Sequence, residues 1–349
     1  MSLRDEILEQ PEAARRQLAS SSDAIRGVVE RLRERPVSSA VIAARGTSDH
    51  AAIYAQYALG VRNRLSVGLA TPSVVSIYGA DPDVRDSLVI GISQSGASPD
   101  IVGVVEAGRR QRAATLAITN DPASPLASAA EFVIELAAGP ERAVAATKTY
   151  TTSLLAIARL SVALSRAGQA RAGDDERDLA AIPDAIAAAL AVEPEVEAIA
   201  RELAGMDRCV VVGRGFEYAT ARESALKLKE LAQVFADPYS AADFLHGPIA
   251  LVQPGIPLLV FAPEGAAAAG QVELLRGLRE RGADTLVLSD VTETRELGRW
   301  SLPIPAGVPE WLRPIVSIVP AQLLAHHVTI ARGLDPENPR SLTKVTRTR

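Results

Sequence analysis

An internal repeat is the feature that most limits how this chain can fold. A short apolar run leads through a glycine turn into a helical pattern twice, at Gly46 and again at Gly215, which lie 169 positions apart (215 − 46). The next apolar runs along the chain, residues 88–92 and 257–261, keep the same offset. Two matches of strand, glycine and helix at a single offset predict a duplicated domain.

Each repeat unit alternates β-branched or leucine-rich runs with amphipathic helical segments. Third strands are predicted at 115–119 and 285–289. Apolar strands that alternate with helices are typical of parallel sheets covered on both faces. Aromatic residues make up only 4% of the chain, so the core must be mainly aliphatic, which favours helices packed on apolar strands. We therefore predict an α/β protein with two tandem doubly wound parallel sheets, each a flavodoxin-like sandwich.

Composition along the chain divides it into five predicted segments. The helices up to residue 35 are interrupted at Pro11, and we expect them to pack outside the first sheet. A later stretch rich in Ala, Asp and Glu is punctuated by glycine and proline, and it is predicted to connect the two domains. The segments are 1–27 (helical), 28–170 (first domain), 171–195 (helical connection), 196–335 (second domain) and 336–349 (C-terminal tail).

Charge and cysteine content argue against several classes of protein. The formal net charge of −5 does not suit a broad nucleic-acid surface. The single cysteine, Cys209, excludes an intrachain disulfide framework and a cysteine-based zinc site. No motif has metal-ligand spacing or a nicotinamide or flavin signature, so we expect no metal and no cofactor.

The chain also offers no clear targeting or membrane signal. Its start lacks a basic and then apolar signal pattern. No stretch is predicted to span a membrane, because the best candidate, residues 151–167, is interrupted by Arg159 and Arg166. We therefore expect a cytoplasmic protein with no membrane partner.

A run of small polar residues directly follows one predicted strand. The run is SQSGAS at residues 93–98, and Pro99 then begins a helical pattern. Backbone N–H groups at a helix start, together with hydroxyl donors, suit a phosphate monoester. In the alternative interpretation, Ser98 only caps the helix. A second polar turn, GTS at residues 46–48, follows the neighbouring strand, which favours phosphate binding at this sheet edge.

Several motifs, in order along the chain, resemble one enzyme family. Residues 93–96 resemble the sugar-phosphate loop of SIS (sugar isomerase) domains, and the whole chain resembles the isomerase half of the glutamine:fructose-6-phosphate amidotransferases. The other matching motifs are EILEQP at 6–11, RGTS at 45–48, ATKTYTT at 146–152, ALKLKE at 225–230, HGP at 246–248 and PRSLTK at 339–344. The resemblance implies two tandem SIS domains that act on a hexose or hexosamine 6-phosphate without a cofactor.

The resemblance also implies a role for individual residues. Glu230 resembles the base that moves a proton between C1 and C2, with Lys227 near it. His246 resembles the residue that opens the sugar ring, and it would reach the site of the neighbouring subunit in a homodimer. Lys344 resembles a tail lysine that forms an imine with the keto sugar, so the tail would act as a lid. The residues implied to bind substrate are Arg45, Gly46, Thr47, Ser93, Gln94, Ser95, Ser98, Val144 and Thr343.

The spacing of three charged residues is compatible with proton abstraction from one face of a helix. On a helix, Glu223, Lys227 and Glu230 fall at i, i+4 and i+7, so they share one face. A carboxylate in a partly dry pocket is suited to remove the C2 proton of an aldose phosphate. A solvated, salt-bridged helix face is the alternative interpretation, and we retain it for Glu223.

The chain departs from the amidotransferase pattern at several positions. It starts Met1-Ser2 and its one cysteine lies in a predicted strand, so we expect no glutaminase nucleophile. Arg45 stands where the synthases have a cysteine, and Ala97-Ser98 stands where they have Glu-Thr.

Three functions therefore stay open. The preferred interpretation is a glucosamine-6-phosphate deaminase or aldose–ketose isomerase. The second is a lyase that eliminates water from an amino or N-acetylamino sugar 6-phosphate, a reaction that shares ring opening and C2 proton abstraction with the first. The third is a non-catalytic sugar-phosphate sensor, which we disfavour because no effector domain is recognised and the catalytic set is complete.

Overall fold

The computed structural model of the protein describes residues 2–168 and 174–344. The elements that lead up to and include the first sheet are α1 (Leu3–Leu8), α2 (Gln10–Ala19), α3 (Asp23–Glu34), β1 (Ser39–Ala43), α4 (Thr47–Asn63), β2 (Ser66–Leu69), α5 (Pro72–Ser76), β3 (Ser87–Ile92), α6 (Pro99–Arg110), β4 (Ala114–Thr119), α7 (Pro125–Ala129), β5 (Phe132–Glu135) and α8 (Lys148–Gly168). The elements that follow are α9 (Asp174–Ala180), α10 (Ile182–Leu190), α11 (Glu193–Glu202), β6 (Arg208–Gly213), α12 (Glu217–Ala232), β7 (Phe235–Ser240), α13 (Ala241–Leu245), a 3₁₀ turn (Pro248–Leu251), β8 (Leu258–Phe261), α14 (Ala268–Glu280), β9 (Thr285–Ser289), α15 (Thr292–Arg295), β10 (Trp300–Pro303) and α16 (Pro314–Ala331).

The strands form two parallel five-stranded sheets. The first has the order β2-β1-β3-β4-β5, and the second has the order β7-β6-β8-β9-β10. Counted within its own sheet, each order is the same, and it is the doubly wound order of flavodoxin-like folds. The predicted fold class, two tandem doubly wound α/β domains, is confirmed.

Continuous apolar sequence explains why β3 and β4 occupy central positions in their sheet. Both strands are buried along their whole length, as parallel strands are when helices cover both faces. The edge strand β2 instead alternates exposed and half-buried residues. Within β3, a Cβ at Gly91 would lie 2.7 Å from Leu126 and 2.8 Å from Val105. The glycine therefore allows α6 and α7, which carry those side chains, to lie close to the strand.

The two sheets belong to two compact units whose sequences interleave. Among the described residues, the unit of the first sheet contains 12–141, 148–168, 174–181 and 343–344, and the unit of the second contains 2–11, 142–147 and 182–342. Helix α3 packs on β5 and α8 of the first unit, as the sequence predicts. The boundaries of the five predicted segments stay a prediction.

Helix α1 does not lie where the sequence analysis predicts. It belongs to the unit of the second sheet, although the whole N-terminal segment is predicted to pack outside the first. The backbone N–H of Leu3 donates to Glu337 Oε1 at 2.8 Å, and Arg4 pairs with Glu193 at 2.7 Å. These partners are distant in sequence, and local patterning carries no information about them.

Helix α16 corrects a second expectation. Its 18 residues have a mean hydropathy of 1.4, so by length and composition it could cross a membrane, whereas residues 151–167 are the best candidate in the sequence analysis. However, 83% of this helix is buried inside the protein, where it packs on α10, α11 and α12. Its apolar composition is therefore that of a core helix in the second unit.

A buried carboxyl group lies where α12 begins. The hydroxyl of Ser317 in α16 donates to Glu217 Oε1 at 2.8 Å. Burial raises the pKa of Glu217 to about 7, and the hydrogen bonds from Thr220 and Ser317 offset only part of this effect. The folded chain consequently holds a proton here that the unfolded chain has already released.

This difference predicts a pH-dependent stability. Because the folded pKa of Glu217 is raised, the free energy of unfolding should fall as pH rises from the ordinary value of 4.5 to about 7. The neutral variant Glu217→Gln should lack this loss and gain about 3 kcal/mol over wild type between pH 4.5 and about pH 8. Urea denaturation across this range measures the effect; parallel pH curves for the two proteins would contradict it.

Candidate functional site

The ends of β1 and β3 lie side by side in the first sheet. These strands pair in parallel, with Ala43 opposite Gly91. The order of the strands reverses at this pair, because β2 lies beyond β1 while β4 lies beyond β3. Ligands of doubly wound sheets bind at such a switch point, outside the carboxyl ends of the strands. The two polar turns singled out in the sequence, at residues 45–48 and 93–98, both leave the sheet here.

Gly96 fixes the shape of the second turn. Its φ of +59° lies in the left-handed region, which favours glycine. A Cβ at this position would lie 2.1 Å from the hydroxyl of Ser124, and the carbonyl of Gly96 accepts from the backbone N–H of Leu126 at 3.0 Å. No other residue could be accommodated without moving the α7 segment away from the loop.

The serines of this loop keep donor hydrogens available. The hydroxyl of Ser93 accepts from the N–H of Gly96 at 3.1 Å, and that of Ser95 accepts from the N–H of Ala97 at 3.3 Å. Each hydroxyl can still donate its own proton to an anion. Ser98 occupies the N-cap position of α6, but its side chain makes no capping hydrogen bond. The interpretation that Ser98 serves only as a cap therefore gains no support, and the loop can receive a phosphate.

Arg45 lies at the same sheet edge, and its guanidinium is hydrogen-bonded through Nε. Its Nε donates to Asp100 Oδ2 at 2.9 Å, and Asp100 is buried in the first turn of α6. The Arg45 side chain is 51% exposed. Among the residues that the structure describes, no other side chain hydrogen-bonds this guanidinium. Its terminal nitrogens can therefore donate to an anionic or polar ligand.

The remaining predicted binding residues of the first turn occupy the start of α4. Gly46 precedes the helix with a φ of +55°, and Thr47 is its first residue, half-buried. In the second turn, the backbone carbonyl of Gln94 accepts from the N–H of Asn120 at 3.1 Å, which anchors the loop to the end of β4. The structure thus brings together the polar turns that follow β1 and β3.

The corresponding edge of the second sheet is filled by the chain's own carboxylate. The residues at the 169-residue offset are Ala262, Pro263, Glu264 and Gly265, which supply no hydroxyl. The N–H of Ala266 donates to Glu310 Oε1 at 3.1 Å, so the carboxylate takes the place that an anion would occupy before α14. A Cβ at Gly265 would lie 2.6 Å from the same carboxyl group. Of these two equivalent loops, both within the described residues, the one after β3 has the features of a phosphate loop and the one after β8 does not.

Helix α12 carries the candidate base and a buried lysine. Lys227 Nζ lies 2.5 Å from Glu230 Oε2 and 3.4 Å from Glu223 Oε1. The Lys227 and Glu223 side chains are almost fully buried, whereas that of Glu230 is 24% exposed. Burial alone would lower the pKa of Lys227, but the two carboxylates outweigh burial and the pKa is raised. The interpretation of Glu223 as a solvated residue is therefore wrong: it compensates the charge of a buried lysine.

Glu230 and His246 lie at opposite ends of the second sheet. Glu230 is in the last turn of α12, roughly 20 Å along the helix from the sheet edge where α12 begins. His246 is exposed and follows α13, beyond the six residues of β7, which span roughly 20 Å in the opposite direction. One copy of this unit does not bring the two residues together.

The candidate tail lysine is bound to a carboxylate that the sequence analysis did not single out. Lys344 Nζ lies 2.7 Å from Glu141 Oε2. Glu141 also accepts from the backbone N–H of Thr149 at 3.1 Å and from its hydroxyl at 2.8 Å. Thr343, the preceding tail residue, is exposed, and residues 345–349 of the predicted tail lie outside the described residues.

A second buried carboxylate, Glu6, supports the loop that carries Val144. Its Oε1 accepts from the backbone N–H groups of Arg142 and Ala143, at 2.5 and 3.3 Å. Val144 itself is half-buried. Both Glu6 and Glu141 lie in or beside recognisable motifs, but a single charged residue in a sequence gives no signal of burial, so their roles become apparent only in the structure.

Three other titratable residues, Cys209, His326 and His327, lie in surroundings typical of structural residues. Cys209 is buried in β6, and burial raises its pKa to about 12, as expected for an inert strand thiol. Burial likewise lowers the pKa of His326 to about 4, and His327 lies 2.9 Å from Glu193. Among the described residues, no group of three or more His, Cys, Asp or Glu side chains could hold a metal ion.

The chain is similar to known proteins over most of its length. The SIS domain model matches residues 35–163 and 202–332. The glutamine–fructose-6-phosphate aminotransferases (isomerizing) of Thermococcus kodakarensis and Mycolicibacterium smegmatis are 33% and 36% identical to the chain, and each alignment covers 97% of it. The chain spans 56% of the length of these relatives. The C-terminal domain of glucosamine-fructose-6-phosphate aminotransferase from Francisella tularensis superimposes with a TM-score of 0.87 at 27% identity, covering 96% of this chain and 97% of that one.

The asymmetry between the two sheet edges predicts one phosphate site per chain. Titration calorimetry with a hexose 6-phosphate should give a stoichiometry of one, because Glu310 fills the second edge. Ser93→Ala should weaken binding about 10-fold, as expected for the loss of a hydrogen bond to a charged ligand. Glu310→Gln, at the equivalent place in the second repeat, is the matched control and should leave affinity within about 2-fold. Equal losses in the two variants would contradict this assignment.

Proposed function

The chain belongs to the SIS domain family, and on this premise we propose that it converts glucosamine 6-phosphate into fructose 6-phosphate and ammonia. The observation that carries the proposal is the arrangement on α12, where Glu230 is partly exposed beside a buried lysine whose charge is already compensated by Glu223. The names of the relatives, aminotransferases marked as isomerizing, support an amino-sugar phosphate as substrate.

Binding is proposed to begin at the phosphate group. The hydroxyls of Ser93, Ser95 and Ser98, with the N–H groups at the start of α6, would hold its oxygens. Gln94 and Thr47 would contact the phosphate and the sugar at the same edge, and the backbone at Val144 would contact the sugar. Such remote binding energy would serve to position C1 and C2 of the sugar.

The proposed chemistry is a proton transfer followed by hydrolysis. After the ring opens, Glu230 removes the C2 proton and the C1 oxygen takes up a proton. A proton then returns to C1 as the nitrogen loses one, which converts the aldose amine into an imine at C2. Lys344 displaces ammonia from C2 to form its own imine, and water then releases fructose 6-phosphate and the free lysine. Lys227 stabilises the negative charge that develops on the oxygen of C1 during the transfer. Atoms balance, since one water is consumed for each ammonia released.

Ring opening is proposed to require a second copy of the chain. His246 is exposed and lies far from Glu230 within its own unit, so it would act in the site of the partner subunit. Leu245 and Leu251, on either side of it, are 53% and 42% exposed. Exposed apolar side chains around a functional histidine suit a subunit interface. We therefore include a homodimer in the proposal. A cytoplasmic location is a separate part of the same proposal.

One observation favours a second candidate function, the elimination of water from an N-acetylamino sugar 6-phosphate. Arg45 presents a cation with unengaged terminal nitrogens at the substrate edge. A positive charge there disfavours a protonated amine on the sugar and tolerates a neutral acetamide. With the nitrogen retained, the carbanion that Glu230 generates would expel the C3 hydroxyl, which would leave as water with the proton that Glu230 removed from C2.

The role of Glu230 can be tested by its neutral variant. Glu230→Gln should lower the release of ammonia and fructose 6-phosphate about 1,000-fold, because a positioned general base is lost. The matched control is Lys229→Gln, which removes an exposed charge next to it on the same helix. A coupled assay for both products measures the effect. Unchanged turnover in Glu230→Gln would contradict both candidate enzymatic functions. Binding of the sugar phosphate without turnover in wild type would favour a sensor.

The role of Arg45 distinguishes the two reactions. Replacing it with the residue of the synthases, Arg45→Cys, should raise activity on glucosamine 6-phosphate relative to its N-acetyl derivative by about 5-fold, because a half-exposed like charge costs roughly 1 kcal/mol. The measurement is the ratio of kcat/KM for the two sugars in wild type and variant. A ratio that does not move would remove Arg45 as a determinant of substrate choice.

A further inference from the structure

The carboxylate of Glu141 is placed between two segments that the sequence separates widely. It is fully buried, and its Oε2 receives the Lys344 ammonium at 2.7 Å and the Thr149 hydroxyl at 2.8 Å. Its Oε1 receives the backbone N–H of Thr149 at 3.1 Å. Thr149 is in the first turn of α8, where the helix dipole favours a negative charge. The carboxylate is therefore held from the helix side independently of the tail.

The described part of the tail that carries Lys344 has no regular secondary structure. Residues 332–344 form no helix or strand, and Ser341, Leu342 and Thr343 are exposed. The Lys344 side chain, in contrast, is only 22% exposed, and its ion pair with Glu141 has the length of a charge-assisted hydrogen bond. An ion pair to a buried, preorganised carboxylate is worth more than one on the surface, because solvent screens it less.

We propose that Glu141 is the positioning residue for Lys344: it docks the tail lysine at the start of α8 and accepts its proton when the amine reacts. This inference rests on the proposed function only in its second part, since docking is independent of the reaction. Imine formation requires an uncharged amine, because an ammonium has no lone pair. The proton passes from Nζ to Glu141, and Nζ bonds to C2 as the bond between C2 and the sugar nitrogen breaks and ammonia leaves. The proton returns to Nζ when water hydrolyses the imine.

The first experiment measures docking without substrate. Hydrogen exchange of the peptide that covers residues 334–344 should be about 10-fold faster in Glu141→Gln, because the variant lacks the charge that holds Lys344. Lys344→Met removes the same pair from the exposed side and should have the same effect, so the test survives if Glu141→Gln folds poorly. The double variant should show no further increase.

The second experiment measures the reaction of the lysine. Borohydride reduction in the presence of fructose 6-phosphate should trap an adduct at Lys344, and Glu141→Gln should lower its yield about 10-fold. In turnover, the variant should lose kcat and keep KM within about 2-fold, because the phosphate is bound elsewhere. Arg340→Gln is the matched control: it removes an exposed charge from the same tail segment, leaves the Glu141–Lys344 pair intact and should trap normally.

The outcomes separate this inference from the proposed function. Wild-type tail exchange in both Glu141→Gln and Lys344→Met would overturn docking, whatever the enzyme does with its substrate. Faster exchange with no adduct in wild type would retain docking but overturn the proton transfer and the proposed use of Lys344. Equal losses of trapping in Glu141→Gln and Arg340→Gln would show a general effect of charge in the tail and would overturn the positioning role.

Discussion

Because β1 pairs in parallel with β2 on one side and β3 on the other, the loops after β1 and β3 leave the sheet next to each other. The candidate phosphate loop depends on this pairing, since Arg45 and Ser93 come together only through the register that sets Ala43 opposite Gly91. The second sheet repeats the same pairing, yet its edge is filled by Glu310. Strand order creates the place for a ligand, and the side chains in the loops decide whether a ligand can enter.

Buried charges explain the rest of the candidate site. Lys227 lies between two carboxylates, and Lys344 is held by a third, so each candidate lysine has a fixed partner. An isolated buried charge would be costly, and these pairs are tolerated because geometry and hydrogen bonds compensate the lost solvent. The same pairing leaves Glu230 partly exposed, whereas Glu223 is enclosed. Two glutamates seven residues apart on one helix therefore have different roles.

The sequence alone predicts the two sheets, because the repeat at a 169-residue offset and the apolar runs are local patterns. It also predicts the loop at residues 93–98, since hydroxyls before a helix are a local signal too. It does not predict that Glu223 is buried, that Glu141 receives Lys344, or that α1 belongs with the second sheet. These facts depend on partners far away in the sequence or on burial, neither of which helical spacing or composition reports.

The central claim is that Glu230 removes the C2 proton of a hexosamine 6-phosphate. Proton NMR in deuterated buffer tests it most directly, with purified protein and glucosamine 6-phosphate or its N-acetyl derivative in separate samples. The account predicts loss of the C2 proton signal from the free amine together with fructose 6-phosphate, and none of this exchange in Glu230→Gln. Exchange at C2 that persists in Glu230→Gln, or its absence from wild type with both sugars, would contradict the account.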